Sequence, residues 1–442
     1  MRDQRLPTSP GFWRSPLRGA WFTSVLGLVL LAGITVLFVT GLLSYAAYNP
    51  DLSPVNDKTP DKGLLGFYLF SWPTDPPWLY RLTQGVHVTL GLVLIPVLLA
   101  KLWSVVPKLF TLPPARSLAH ALERVSLLLL VGGALFEFTT GVLNVQLDYV
   151  FPGSFYPLHF YGAWVFFAAF VAHAVLRVPT ALRTVRRMRE DRAAEDRAPE
   201  GRRGAEGLGE EPGAGDRPRG ARAREAAELA SPDPDAPTVS RRGALGLVGG
   251  ASLLLLVTTA GRNFDGPLRQ TAVLAPHGGP EPGTGPAGFQ INKTAASRGV
   301  RPADTTEEAW RLVVEGPAGT VRLSRAELLA MELHSSSLPI ACVEGWSTAD
   351  QWWRGVRLRD LAALAGHGEA PDVLVESLQP HGAFRRGALR ANQVRDPRSL
   401  LVLFANGEPL SLDHGYPARV IVPAAPGVLN TKWVARMTFG DL

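Results

Sequence analysis

Cysteine is the residue this sequence has least of, since Cys342 is the only one in 442 residues. A single thiol excludes an intramolecular disulfide framework, and one cysteine cannot build a zinc or iron–sulfur site. Two interpretations remain for Cys342: a small buried hydrophobic residue, or a metal ligand or nucleophile. Its position favours the second interpretation, because Cys342 ends an apolar run and opens the polar segment 344–347, where a side chain can meet a pocket.

The chain also lacks a basic helix interleaved with aromatic side chains, although its formal net charge is +6. That interleaved pattern is typical of nucleic-acid-binding proteins. The sequence therefore predicts no nucleic-acid partner. The Lys and Arg residues instead flank long apolar runs, a distribution that indicates membrane topology.

Four long apolar runs occupy residues 20–48, 79–106, 119–145 and 156–178. Each is long enough to cross a bilayer core of about 30 Å. Basic residues concentrate before the first run and near the inner ends of the others, so the positive-inside rule places the N-terminus in the cytoplasm and residues 49–78 outside. The sequence predicts an all-α membrane helical bundle surrounded by lipid.

Residues 185–240 are rich in Arg, Glu, Ala, Gly and Pro and have almost no large apolar side chain, which predicts a disordered cytoplasmic linker. Arg241 and Arg242 then precede an apolar run that ends near Ala260. One interpretation is a fifth span whose flanking arginines follow the positive-inside bias. The other is a twin-arginine export signal, which would carry a folded domain across the membrane.

Histidines inside predicted spans indicate function, because ionisable residues are rare there. His87 and His159 lie in the outer halves of their spans, and His173 lies fourteen residues beyond His159. Two imidazoles from facing helices are the usual axial ligands of a membrane b haem. We predict that His87 and His159 hold one haem. An inner haem on His173 would need His120 as its partner, and an ordinary hydrogen-bonding role is the alternative for each histidine.

After a Pro/Gly-rich spacer, residues 289–442 show short mixed elements that predict an α+β domain. We expect a hairpin at 310–323 and a capping box at Ser324 that opens a short helix. The further predicted elements are strands at 340–344, 373–377, 400–404, 418–422 and 432–438 and a helix at 356–365 that ends at Gly366.

The motif CVEGWS at 342–347, followed by WRGVRLRDL at 353–361, resembles the molybdopterin-binding domain of the sulfite oxidase family. The blocks NGEPL at 406–410, HGYPAR at 414–419 and NTKW at 430–433 extend the resemblance in the expected order. The resemblance implies a molybdenum–molybdopterin cofactor whose metal is bound by the thiolate of Cys342. A thiolate is a soft donor that suits such a metal.

The resemblance also implies a set of polar and basic residues that bind the pterin and its phosphate. Ser377 would lie near the metal, and Asn292 and Lys293 would lie at the start of the domain. The remaining residues of this predicted set are His414, Arg419, Asn430 and Lys432. Ordinary strand positions are the alternative for Arg419 and Lys432. The nearby Arg385, Arg386 and Arg390 are expected to face solvent.

Histidine placement and hydropathy over residues 20–180 resemble bacterial four-helix b-type cytochromes. No immunoglobulin-like module follows the cofactor domain in this sequence, so the layout is closest to the catalytic subunits of bacterial protein-methionine-sulfoxide reductases. In those proteins the haem partner is a separate membrane protein, whereas here the two parts would be fused.

We therefore predict a membrane-anchored molybdopterin-dependent oxidoreductase with one or two b haems, its C-terminal domain extracytoplasmic. It would transfer oxygen atoms to or from a small oxyanion or sulfoxide and exchange electrons with a quinone or redox protein. The alternatives are a sulfoxide reductase rather than a sulfite-type oxidase, or an electron-transfer cytochrome with a non-catalytic outer domain. The predicted boundaries are 1–18 cytoplasmic, 19–180 bundle, 181–240 linker, 241–261 signal and fifth span, 262–288 spacer, and 289–442 cofactor domain.

Overall fold

The computed structural model forms two compact units that both draw on the long helices. One unit comprises Met1–Val36, Leu92–Thr139 and Gly162–Leu254, and the other comprises Leu37–Gly91, Thr140–Tyr161 and Leu255–Leu442. The residues that the structure describes are 15, 17–56, 59, 70–110, 117–145, 155–197, 238–264, 266–275 and 285–442.

Among the described residues, five helices are long and apolar enough to cross a membrane by length and composition. They are α1 Ala20–Ala47, α2 Leu79–Leu109, α3 Leu118–Asn144, α4 Tyr156–Arg197 and α5 Arg241–Thr259. They coincide with the predicted apolar runs. Most of the predicted N-terminal segment 1–18 lies outside the described residues.

Helix α4 extends further than predicted. It continues through Arg197, so the first part of the predicted linker is helical rather than disordered. The sequence from 181 to 197 contains no glycine or proline and is rich in Arg, Ala and Glu, which are strong helix formers. An ion pair from Arg186 to Glu190, 3.1 Å long at i,i+4 spacing, adds to this preference. The remainder of the predicted linker, 198–237, lies outside the described residues.

The first unit has the packing of an apolar bundle. A Cβ added at Gly33 would lie 2.4 Å from Leu94 Cδ1, so glycine allows α1 and α2 to approach closely. Large apolar side chains also cover its outer surface: Leu122, Leu128 and Leu254 are each at least 60% exposed. Such continuous apolar exposure is unusual for a protein surrounded by water.

The second unit contains the α+β domain, which confirms the predicted class. Five strands form one sheet in the order β2-β1-β10-β5-β6, in which β1 and β10 are parallel and the other pairs are antiparallel. A second sheet has the order β3-β4-β7-β8, with β9 also paired to β7. The strands are β1 Leu312–Gly316, β2 Gly319–Leu323, β3 His334–Leu338, β4 Gln351–Arg357, β5 Val373–Ser377, β6 Arg386–Leu389, β7 Leu400–Ala405, β8 Glu408–Pro409, β9 Arg419–Ile421 and β10 Val434–Phe439.

Three short helices complete the domain: α6 Arg325–Ala330, α7 Leu358–Leu364 and α8 Ala391–Arg395. The predicted capping box is present, because the Ser324 hydroxyl accepts from the Glu327 N–H and the Glu327 carboxylate accepts from the Ser324 N–H. The main hydrophobic core combines buried residues of both sheets, among them Val314, Val375 and Leu401.

Two predicted elements are wrong. Residues 340–344 do not form a strand, because Cys342 N–H bonds the Trp346 carbonyl and Gly345 N–H bonds the Cys342 carbonyl, which folds the chain into a turn. The predicted helix at 356–365 begins as the end of β4 and becomes helical only at Leu358.

The connection between α1 and α2 packs on the α+β domain within the second unit. The Trp72 indole is 1% exposed and donates to the Ala424 carbonyl at 2.7 Å. The fully buried Asn49 amide donates to the Ala388 carbonyl at 3.1 Å and to Gln393 Oε1 at 2.8 Å. The described part of this connection and the α+β domain therefore share one interface.

Candidate active site

The cysteine loop, residues 341–347, leaves the sheet after β3 and turns at Gly345, whose φ of +81° is in the left-handed region that favours glycine. Ala341 bridges to Ser347 and to Pro426, which fixes both ends of the loop. Within the loop, the Trp346 indole donates to Glu344 Oε2 at 2.8 Å. The turn places the Cys342 side chain in the interior of the second unit.

The thiol of Cys342 is 2% exposed and lies 3.4 Å from the same Glu344 oxygen, to which it can donate. Burial, and then the neighbouring Glu344 carboxylate, raises the pKa of the thiol above its ordinary value. Asn292 Nδ2 lies 3.9 Å from the sulfur on the other side. Without a metal this thiol is therefore protonated at neutral pH and is a poor nucleophile.

A cleft of about 540 Å³, its open mouth included, lies beside the cysteine loop. Ile340 and Trp346 line it on the loop side, and Cys342 is one side chain removed, behind Asn292. Six residues predicted to bind a cofactor line this one cleft: Asn292, Lys293, His414, Arg419, Asn430 and Lys432. Residues far apart in sequence thus converge on a single space.

Three basic side chains, Lys293, Arg419 and Lys432, lie together at the cleft. Burial lowers the pKa of Lys293 to about 8 and that of Arg419 to about 9. The pKa of Lys432 is lowered by burial and then by Arg419. Lys432 Nζ donates to the carbonyls of Lys293 and Asp413. Grouping these cations raises the free energy of the protein unless an anion binds between them.

Several polar atoms around the cleft are left without hydrogen-bond partners. Buried Arg419 Nε, Asn430 Nδ2 and Thr431 Oγ1 each find none among the residues that the structure describes. The rest of Asn430 is fixed, because its Oδ1 accepts from Val422 N at 2.9 Å. Unsatisfied buried donors are costly, so their grouping indicates a polar ligand that completes them.

His414 and Arg419 support each other at the base of the cleft. The Phe289 carbonyl lies 3.1 Å from His414 Nε2, and Ser411 Oγ lies 2.7 Å from His414 Nδ1. Arg419 Nη1 donates to the His414 carbonyl at 3.0 Å. Burial lowers the pKa of His414 to about 4, so its imidazole is neutral at neutral pH. Arg419 is 4% exposed, which rules out the alternative of a surface-facing strand residue.

Of the residues predicted to bind the pterin and its phosphate, Ser377 does not line the cleft. Its hydroxyl donates to the Lys432 carbonyl at 2.7 Å and accepts from the Gln379 N–H at 3.2 Å. Its place at the end of β5, beside β10, directs it to the backbone of Lys432. Ser377 therefore stabilises the backbone of Lys432, which lines the cleft.

Four polar residues that line the cleft were not predicted from the sequence: Gln290, Gln379, Asp413 and Thr431. Three of them adjoin predicted residues or motifs, which was the available signal: Asp413 precedes His414, Thr431 lies between Asn430 and Lys432, and Gln290 precedes Asn292 by two positions. Gln379 carried no motif. Gly427 also lines the cleft, but its N–H donates to the Ala341 carbonyl and is not directed to a ligand.

A second candidate site lies in the helical part of the same unit. The rings of His87 on α2 and His159 on α4 have centroids 6.2 Å apart and are nearly perpendicular, at 85°. An imidazole nitrogen binds a first-row metal at about 2 Å, so rings at this separation can ligate one ion between them. Among the described residues, no group of three His, Cys, Asp or Glu side chains could hold a metal ion.

The two histidines have matching surroundings. Thr40 Oγ1 lies 3.1 Å from His87 Nδ1, and Thr140 Oγ1 lies 3.0 Å from His159 Nδ1. Gly41 follows Thr40 and faces Cε1 of His87. In the same way, Gly141 follows Thr140 and faces Cε1 of His159.

The Leu37 carbonyl, 3.0 Å from His87 Nδ1, can only accept, so it places the proton of His87 on Nδ1. A metal-ligating imidazole is usually anchored through its other nitrogen in this way. The two histidines were predicted from the sequence, whereas this repeated Thr-Gly pair was not. His173 lies in the other unit, where it is half-buried.

Residues 298–441 match the family model of the oxidoreductase molybdopterin binding domain. The C-terminal part of this chain therefore carries an oxidoreductase molybdopterin binding domain. The match spans both sheets and the cysteine loop. Asn292 and Lys293 lie just before it, and the five long helices α1 to α5 lie outside it.

Curated relatives support this assignment over the same region. Mitochondrial sulfite oxidase of Drosophila melanogaster is 32% identical over 164 residues, which cover 30% of this chain and 28% of that protein. The NAD(P)H nitrate reductase of Hordeum vulgare is 42% identical over 94 residues, 19% of this chain and 10% of that protein. The uncharacterized oxidoreductase YuiH of Bacillus subtilis (strain 168) is 31% identical over 131 residues, 29% of this chain and 65% of that protein.

This chain thus spans less than two thirds of the length of these relatives. Among solved structures, the sulfane dehydrogenase SoxCD of Paracoccus pantotrophus is 24% identical, with a TM-score of 0.28 and coverage of 31% of this chain and 39% of that one. The family domain implies a molybdenum–molybdopterin cofactor. The residues of the cleft fit that cofactor, because buried cations and unsatisfied donors suit its phosphate and pterin.

Proposed function

We propose that this chain is a membrane-anchored oxidoreductase that transfers oxygen atoms outside the membrane and exchanges electrons with b haem in its own helices. The observation that carries the proposal is the convergence of six predicted cofactor-binding residues on one cationic cleft beside the only cysteine. When bound, the molybdenum cofactor supplies a metal that exchanges an oxygen atom and two electrons with substrate.

The residues of the cleft would divide the work of holding the cofactor. Cys342 would ligate the metal, since a thiolate suits a soft centre and the buried thiol adjoins the cleft. Lys293, Arg419 and Lys432 would bind the phosphate, with Asn292, Asn430 and His414 around the pterin. Ser377 would keep Lys432 in place through the backbone.

His87 and His159 would hold one b haem, supported by their 6.2 Å separation and their matched threonine contacts. His173 would serve an inner haem, for which the support is its sequence position alone. The haem or haems would exchange electrons with a quinone or a redox protein.

The membrane arrangement rests on two independent lines of support. The charge distribution would place residues 49–78 outside. The packing of Asn49 and Trp72 on the α+β domain would keep that connection and the domain on one side of the membrane, which requires an even number of spans between them. Helices α2 to α4 bring the chain to the inner side, and α5 returns it to the outer side.

The export route would be the twin-arginine pathway, signalled by Arg241 and Arg242. Replacing both with lysine should leave the α+β domain inside the cell, where external protease cannot reach it. Unchanged cleavage from outside would support an ordinary fifth span instead. Arg322→Lys, on the exposed β2, is the matched control.

A sulfoxide is the second candidate substrate class, and the ion pairs of Arg390 favour it. Arg390 is held by Asp372 at 2.6 Å and also pairs with Asp51, so it does not provide an anion site. An uncharged sulfoxide needs fewer cations than sulfite.

The deciding experiment quantifies molybdenum and haem in the purified full-length protein and then screens sulfite-type oxyanions and sulfoxides as redox partners. We expect bound molybdenum and haem oxidation or reduction by one of these classes. Protein that contains haem without molybdenum after native expression would contradict the enzyme and favour an electron carrier with a non-catalytic outer domain.

A further inference from the structure

Three backbone carbonyls of the cysteine loop accept hydrogen bonds from side chains that lie outside the molybdopterin domain. Gln84 on α2 donates to the Val343 carbonyl. Arg262 and Arg269, which follow α5, donate to the carbonyls of Glu344 and Ser347, each at 2.5 Å. All these residues belong to the second unit.

Two of these donors are buried, and Arg269 is half-buried. Arg262 is 2% exposed and Gln84 is 7% exposed. A buried guanidinium without acceptors would be strongly destabilising, so the Glu344 carbonyl and Arg262 stabilise each other. Hydrogen bonds from a charged donor are stronger than neutral ones, which makes this contact a strong restraint on the loop.

The same loop lies directly against α2. A Cβ added at Gly345 would be 2.5 Å from Val88 Cβ, so only glycine lets the loop approach the helix this closely. Val88 follows His87 directly on α2, and Gln84 precedes His87 by about one turn. The backbone next to Cys342 therefore contacts the helical turn that carries His87.

We propose that Gln84, Arg262 and Arg269 are positioning residues that set the conformation of the cysteine loop and hold Cys342 next to the helix that carries His87. The inference rests on the proposed role of Cys342 as the metal ligand. It assigns to the helices a part in forming the metal site, beyond anchoring. It also requires the segment after α5 to remain attached, because cleavage there would remove Arg262 from the site.

The single cysteine makes this proposal directly measurable, since any thiol reagent reports on Cys342 alone. Full-length protein is produced without molybdate and purified in detergent, and the rate of maleimide labelling is measured. Loss of a hydrogen bond from a charged group should open the loop about tenfold more often. We therefore expect Arg262→Ala to label about tenfold faster than wild type, and Gln84→Ala, which loses a neutral hydrogen bond, about fivefold faster.

Two controls separate positioning from general damage. Arg262→Lys keeps a cationic donor and should restore most of the slow labelling. Arg322→Ala removes an exposed arginine of β2 and should label at the wild-type rate. If Arg262→Ala does not fold, Gln84→Ala alone carries the test, with thermal unfolding as the check of folding.

Molybdenum-loaded protein gives the second measurement. The two alanine variants should retain less molybdenum per haem, and the electron paramagnetic resonance spectrum of what remains should differ from wild type. Equal labelling rates and an unchanged spectrum in both variants would overturn the positioning role. Wild-type protein without molybdenum would contradict the proposed function instead, while the labelling result would still report on the loop.

Discussion

Gly345 faces Val88 so closely that a Cβ added to the glycine would lie 2.5 Å from Val88 Cβ. Gly345→Ala should therefore destabilise the protein by about 2–4 kcal/mol, because it combines the left-handed φ with overpacking. Val88→Ala in the same chain should recover only a small part of the loss, because it removes the contacts with Cγ1 and Cγ2 but keeps the Cβ at 2.5 Å. Thermal unfolding in detergent measures both effects.

The control for that pair is Gly368→Ala, since a Cβ at Gly368 has no atom within 4 Å. It should leave the unfolding temperature unchanged. A Gly345→Ala protein as stable as wild type would contradict the close contact between the loop and α2.

His414 should make the cofactor-free protein less stable at acid pH. Burial, with Arg419 and Lys432 nearby, lowers its pKa to about 4, against about 6.5 in the unfolded chain. Between these values the unfolded state binds more protons, so stability falls as the pH drops from 6.5 to 4, by at most about 1.4 kcal/mol per pH unit. Urea unfolding of wild type and His414→Gln at several pH values measures this slope.

The slope should be shallower in His414→Gln, whose side chain does not titrate. His381→Gln provides the control because His381 is exposed, and its slope should equal that of wild type. An identical slope in all three proteins would show that His414 already titrates normally.

His87→Ala and His159→Ala should each abolish the spectrum of a haem with two imidazole ligands, because the pair would share one iron. Visible spectra and haem content per protein measure this loss. His173→Ala should leave this haem in place. Thr40→Val should keep the haem but shift its reduction potential, since the hydroxyl lies 3.1 Å from His87 Nδ1. An unchanged spectrum in either histidine variant would remove the pair.

Cys342→Ser should lose most molybdenum while keeping its haem, because serine fits the buried position but is a harder and weaker donor. Metal analysis of membranes gives the ratio of molybdenum to haem. A serine variant that keeps wild-type molybdenum and turnover would refute the assignment of Cys342 as the ligand.

Local sequence signals predicted much of the fold. The hairpin, the capping box at Ser324 and the left-handed Gly366 just after α7 depend on residues that are neighbours in the chain, and the structure contains all three. The wrong predictions concern residues whose structural partners are distant in the sequence. Residues 340–344 have the composition of a strand, but Ala341 bridges Pro426, which no local pattern predicts.

The residues of the cleft also divide into those with a local sequence signal and those without one. Motifs supplied Arg419, Asn430 and Lys432 because they lie within one short segment, whereas Gln379 reaches the cleft from the loop after β5 and had no motif. Gln84, Arg262 and Arg269 were not predicted at all. Their role depends on tertiary packing between the helices and the loop, which hydropathy and charge do not encode.

The place of β10 in its sheet sets the order of assembly. β10 is the last strand of the domain, yet it lies at the centre of the first sheet, between β1 and β5. The ribosome must therefore synthesise residue 439 before this sheet can close around Trp433 and the adjacent Lys432. Until then the cleft lacks one wall, so a pocket for a cofactor is complete only after β10 has been synthesised, and a truncation of only a few residues within β10 would leave β1 and β5 without their shared neighbour.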